Sequence, residues 1–137
     1  MITKENWGVY QCKDIYLYTL DNGNGLTAKI TNMGCCIKDL TFKGTDVVLG
    51  FDNLDGYLNN GASLGAIVGR TAGRVPYAEF TLNGETYKLN ANQWNHNLHG
   101  GHCFRTRVWD IEAIEGDEPS VKLTYSALTV KRVFPET

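Results

Sequence analysis

Apolar and polar residues trade places at every second position in several stretches of the chain, the period of a strand with one wet face rather than of a helix. Leu26–Asn32 shows this alternation, and Asn22-Gly23-Asn24-Gly25 before it predicts a turn, with a strand over Ile15–Leu20 on the other side. Two more short strands are expected at Cys36–Phe42 and Asp46–Leu49, around the turn Lys43-Gly44-Thr45. The sharpest hairpin signal comes later. Ala78–Leu82 and Glu85–Leu89 flank Asn83-Gly84, a pair that supplies the two positive φ angles of a type I′ turn. Val108–Glu115 and Val121–Ser126 form a further pair around Gly116–Pro119, with Val121, Leu123 and Tyr125 on one face and Lys122, Thr124 and Ser126 on the other. No window carries a persuasive helical period, and only Asn53–Leu58 offers a turn of helix.

Many short strands separated by Gly-rich turns predict an all-β fold, an antiparallel β-sandwich or barrel. The length of 137 residues suits one domain, and a hydrophobic content of 42% is enough to bury a core. No internal repeat or low-complexity linker interrupts it. A net charge of −2 gives no reason to expect nucleic acid or an anionic membrane as a partner. The first residues lack the apolar core of a leader, and no stretch reaches the length of a membrane span, so the expectation is a cytoplasmic protein. Of the four cysteines, Cys35 and Cys36 are adjacent, a poor geometry for a disulfide, and no C-x-x-C pair occurs. Reduced, mostly buried thiols are expected at Cys12, Cys35, Cys36 and Cys103.

Two segments break the strand pattern, and in an all-β scaffold such loops are where chemistry concentrates. Asn60–Arg74 is glycine-rich and carries Arg70 and Arg74. It is no P-loop, since neither Gly-Lys-Ser/Thr nor a helix follows. It reads either as a tight turn with solvated arginines or as an arginine fork aimed at ligand oxygens. Asn90–Thr106 holds all three histidines. His96, His99, His102 and Cys103 are spaced like metal ligands, but Gly100-Gly101 argues against the helix that would gather them. A loop histidine acting as hydrogen-bond partner or proton carrier fits better. Trp94 and Trp109 are expected in the core or at its rim. The scattered carboxylates suggest no glycosidase pair, and no Gly-x-Ser-x-Gly elbow is present.

Taken in order, several of these pieces resemble one family, the galactose mutarotases or aldose 1-epimerases. Tyr18–Asn22 and Ile30–Gly34 look like its opening strands, and Asp46–Asp52 followed by Tyr57 looks like its "DVVLGFD…Y" segment. Gly69-Arg70 with Ala72-Gly73-Arg74 resembles "GRxANR", Phe80–Gly84 with Tyr87 and Leu89 resembles "FTLDGKTYxL", and Leu98–Gly101 with Phe104 and Trp109 resembles "LHGG…F…W". The resemblance implies an antiparallel supersandwich that interconverts the α and β anomers of free aldoses such as galactose and glucose. A glutamate takes the anomeric proton and a histidine protonates the ring oxygen, with no cofactor and no metal. By position, Arg74 matches the family arginine that bonds sugar hydroxyls, and His99 matches the histidine near the anomeric end. Gly73 stands where many members have asparagine, and Cys103 where glycine is common.

Family members are substantially longer, and their acid, base and sugar-binding aspartate fall after the last residue here. Residues 1–126 are therefore expected to be the N-terminal portion of a mutarotase-like domain, inactive alone, with strand edges open to self-association. A non-catalytic carbohydrate-binding module and a non-functional truncated product are the alternatives. Residues 127–137 diverge from the family's "DGEEGFPGN". Codons for Leu128–Thr137 can be chosen so that, re-read from the third base, they give Asp-Gly-Glu-Glu-Gly-Phe-Pro-Gly-Asn, as a reading-frame slip near Ala127 would.

Overall fold

The structure, a computed structural model, describes residues 1–102 and 104–126. They group into two compact units, one built on Met1–Ile67 with Arg107–Tyr125 and one on Val68–Thr106. All named strand pairs are antiparallel.

The first unit opens with a five-stranded meander: β1 (Ile2–Tyr10), β2 (Lys13–Asp21), β3 (Leu26–Thr31), β4 (Cys36–Phe42) and β5 (Thr45–Asp46), side by side in chain order. The strands expected at 15–20, 26–32 and 36–42 are all present. Alternation buries one face of β2, where Ile15 is 0% and Leu17 is 3% exposed, and Met33, Cys35 and Cys36 join them. Asn32 is buried and bonded at both ends of its carboxamide: it accepts from the Tyr16 N–H at 2.8 Å and donates to the Asp14 carbonyl at 3.2 Å. Helix α1 (Leu54–Leu58) fills the one place where a helical turn was expected. Asn53 caps it by accepting the Gly56 N–H, and Tyr57 is buried from it against Trp7 and Phe51.

Two differences have physical causes. The strand expected over Asp46–Leu49 ends at Asp46, because the Asp46 carboxylate accepts both the Leu40 and the Val48 N–H and turns the chain out of the sheet. β1 has no clean alternation in sequence and was not anticipated. It forms by pairing its backbone along the open edge of β2, with a bulge between Asn6 and Gly8.

The second unit holds β6 (Arg74–Val75), β7 (Glu79–Leu82), β8 (Glu85–Lys88) and β9 (Asn97–Leu98). β7 and β8 make the expected hairpin, with Asn83 at φ 53° and Gly84 at φ 81° in its turn and Phe80 stacked on Tyr87. Its buried side chains, among the described residues, are Ala78 and Asn97. With so thin an apolar core, hydrogen bonding to the backbone carries more of the local order. The chain then returns to the first unit as β10 (Asp110–Ile114) and β11 (Ser120–Thr124), where Val121, Leu123 and Tyr125 are partly buried and Lys122, Thr124 and Ser126 exposed, as the alternation requires.

Cys12 is exposed and Cys35 and Cys36 are buried, all three as free thiols. Trp109 is partly buried beside Tyr125, but Trp94, expected in the core or at its rim, is 87% exposed at a turn. Cys103 and residues 127–137, where a divergent tail was expected, lie outside the described residues. Among the described residues no helix is long and apolar enough to cross a membrane.

Candidate functional site

The two irregular segments pair with each other. Arg74 lies opposite Leu98 and Val75 opposite Asn97, a two-rung antiparallel ladder between β6 and β9. One step beyond it, the His99 N–H donates to the Gly73 carbonyl at 2.9 Å, and the Gly73 N–H donates to Nδ1 of the His99 ring at 3.1 Å. Gly73, Arg74 and His99, the three residues singled out from sequence, therefore occupy consecutive positions of one ladder. Sequence separates Gly73 from His99 by 26 residues.

Leu98 sits at a rung whose backbone N–H and C=O point away from β6, as alternate residues of an antiparallel pair do. The Asn92 carboxamide takes both groups, accepting the Leu98 N–H at 2.8 Å and donating to its carbonyl at 3.0 Å. A side chain thus stands in for a third strand. Asn97 donates to the Asn90 carbonyl at 2.7 Å, while its own Oδ1 is buried without a protein partner. Gln93 and His96 exchange backbone hydrogen bonds at 3.1 and 2.9 Å, closing a tight turn that leaves Trp94 outside at φ 52°.

The glycines after His99 have a steric reason. His99, Gly100 and Gly101 have successive positive φ values of 56°, 76° and 72°, which reverse the chain sharply. Gly100 backs directly onto the Gly69 carbonyl and the Arg70 nitrogen, so a Cβ there would collide with backbone. The two glycine-rich segments touch main chain to main chain, and this contact sets the distance between them.

The hydrogen bond to Nδ1 fixes the chemistry of the His99 ring. A neutral imidazole that accepts at Nδ1 carries its proton on Nε2, so the free nitrogen is a donor. Arg74 is exposed and donates from Nε to Oε1 of Gln93 at 2.5 Å. Among the described residues no hydrogen bond occupies its two terminal nitrogens. Together the two side chains present N–H donors suited to oxygen acceptors.

The remaining candidates behave differently. Arg70 lies over the ring of Phe104 at 5.6 Å. Nδ1 of His96 accepts the Tyr77 N–H at 3.1 Å, and the ring lies edge-on to Tyr77. Among the described residues no three His, Cys, Asp or Glu side chains gather as a metal-ligand set. Sequence reasoning missed Asn92, Gln93 and Asn97. Their signal was the run of amides from Asn90 to Asn97, side chains that bond readily to backbone in turns.

These features define an all-β protein of antiparallel sheets, with the fold class of the β-sandwich epimerases. Residues 16–135 match the aldose 1-epimerase family, and the chain belongs to it. It is 46% identical over 81 residues to the galactose mutarotase of Bos taurus, covering 56% of this chain and 24% of that protein. It is 40% identical over 100 residues to the aldose 1-epimerase of Haemophilus influenzae, covering 70% and 29%. A galactose 1-epimerase from Lactobacillus acidophilus superposes with a TM-score of 0.83 at 27% identity, over 90% of this chain and 37% of that one. The chain thus spans less than two fifths of the length of each of these relatives.

Proposed function

We propose that Gly73, Arg74 and His99 form the sugar-gripping part of an aldose 1-epimerase site, for free aldoses such as galactose or glucose. The observation that carries the reading is the double hydrogen bond between Gly73 and His99, which fixes the ring of His99 on the main chain one residue before Arg74. In this reading the Nε2–H of His99 donates to a sugar oxygen near the anomeric carbon, and the guanidinium of Arg74 donates to ring hydroxyls. The Gly73 N–H is already committed to Nδ1, so glycine in place of the family's asparagine gives up a side-chain contact and keeps the backbone bond that sets the His99 tautomer.

The two proton transfers of anomer exchange are assigned to none of these residues. In this reading Arg74 and His99 serve as hydrogen-bond donors rather than as proton carriers. The chain is proposed to hold an aldopyranose without turning it over. Polarimetry on freshly dissolved α-glucose tests this directly, because catalysis shows as a faster approach to the anomeric equilibrium than the uncatalysed control. An amide NMR titration with galactose tests binding, with shifts expected at Gly73, His99 and Gly100. Arg74→Ala and His99→Asn should each abolish those shifts, and unchanged titrations in both variants would refute the site.

A further inference from the structure

We propose that Gln93 is the positioning residue for Arg74, holding the guanidinium end-on so that it grips two neighbouring hydroxyl oxygens of one sugar. The inference rests on the sugar-binding reading above and adds to it a residue and a contact geometry.

Arg74 is an exposed side chain, and an unrestrained arginine samples many rotamers. Here one donor is engaged: Nε–H meets Oε1 of Gln93 at 2.5 Å. Gln93 is itself fixed from both sides. Its backbone N–H and C=O both bond to His96, and its neighbour Asn92 is clamped twice to Leu98. Leu98 is the ladder partner of Arg74. The circuit from Arg74 across the ladder to Leu98, through Asn92 to Gln93 and back to Arg74 closes within one unit. Gln93 therefore reaches Arg74 from a fixed base.

The geometry of the guanidinium does the rest. It offers two bidentate edges, one through Nε and a terminal nitrogen, the other through both terminal nitrogens. Gln93 occupies Nε, which leaves the end-on edge. That edge presents two parallel N–H groups, a spacing that two adjacent oxygens match, those of a vicinal diol among them, and that a lone hydroxyl does not.

The test is NMR on the full chain. In the unaltered protein the Arg74 Nε–H should exchange with water more slowly than that of Arg70, whose guanidinium lies over Phe104. Equal exchange overturns the proposal without any variant being made. Gln93→Met keeps the length and removes the acceptor. Gln93→Glu restores an acceptor and serves as the rescue. Galactose affinity should fall about tenfold in Gln93→Met and recover in Gln93→Glu. The Nε–H exchange should rise and fall with it, and a purely structural role would not move that signal while the β7–β8 amide shifts stayed fixed. If the unaltered chain binds galactose and Gln93→Met binds equally well, Gln93 has no such role and the reading of Arg74 and His99 stands. If the unaltered chain shows no galactose shifts, both fall together.

Discussion

Gly100→Ala tests the main-chain contact on which the site geometry depends. Two terms oppose the alanine. At φ 76° its side chain must occupy the left-handed region, at about 1–2 kcal/mol. Its Cβ must also displace the Gly69 carbonyl or the Arg70 nitrogen, backbone atoms that cannot rotate aside, at about 1–3 kcal/mol more. Gly84 in the β7–β8 turn separates the two terms. It has φ 81° with nothing within 4 Å of the added carbon, and it belongs to the same unit. Gly84→Ala should therefore show only the first cost. The assay is hydrogen exchange of the His99 amide, which is bonded to the Gly73 carbonyl and reports opening of this ladder. Exchange should be faster in Gly100→Ala than in Gly84→Ala by about 5- to 150-fold, the equivalent of the steric term alone. Equal exchange in the two variants would mean that the glycine-rich segments do not meet as described, and the ladder that joins Gly73 and Arg74 to His99 and Leu98 would lose its support.

Three further outcomes are expected. Ile15→Ala removes a fully buried side chain from β2 and should destabilise the first unit by about 2–5 kcal/mol, read from urea unfolding; a loss under about 1 kcal/mol would show that β2 does not form the core. The Val48 and Leu40 N–H groups hold the Asp46 carboxyl below its ordinary value, so its contribution is complete above the unfolded carboxylate range of about 4 and drains away as pH falls through the lower folded value. Asp46→Asn keeps an acceptor but cannot titrate, so its urea midpoint should fall less steeply with acid than that of the unaltered chain, and identical slopes would contradict the assignment. Burial pushes the Cys35 thiol up to about 11, whereas Cys12 is exposed, so iodoacetamide near neutral pH should label Cys12 before Cys35, as mass spectrometry of the peptides can show, and early labelling of Cys35 would contradict its burial.

Sequence and structure agree where a local rule suffices. The β7–β8 hairpin follows from Asn83-Gly84, the faces of β11 from the alternation at 121–126, and α1 falls within the helical turn expected at Asn53–Leu58. Each rests on neighbours a few residues apart. The disagreements need partners that a sequence window does not contain. β1 exists because β2 offers an open edge, and β5 stops because one carboxylate reaches back to Leu40.

The site lies between these cases. Resemblance picked out Gly73, Arg74 and His99, yet residues 60–74 and 90–106 each look like loops when read alone. Neither has an alternation to display, since β6 and β9 are two residues long and owe their pairing to bonds outside the strands: His99 Nδ1 to the Gly73 N–H, and the Asn92 carboxamide to Leu98. A ladder that short gains little from strand propensity and depends on side chains for its hydrogen bonds. Ladder and site are then one object, because the imidazole nitrogen that completes the ladder is what fixes the donor on the opposite side of the ring. Replacing His99 would remove a candidate ligand contact and loosen the scaffold beside it at once. The Gln93 variants are the cleaner probe for that reason, since they leave the His99–Gly73 bonds in place and change only how Arg74 is held.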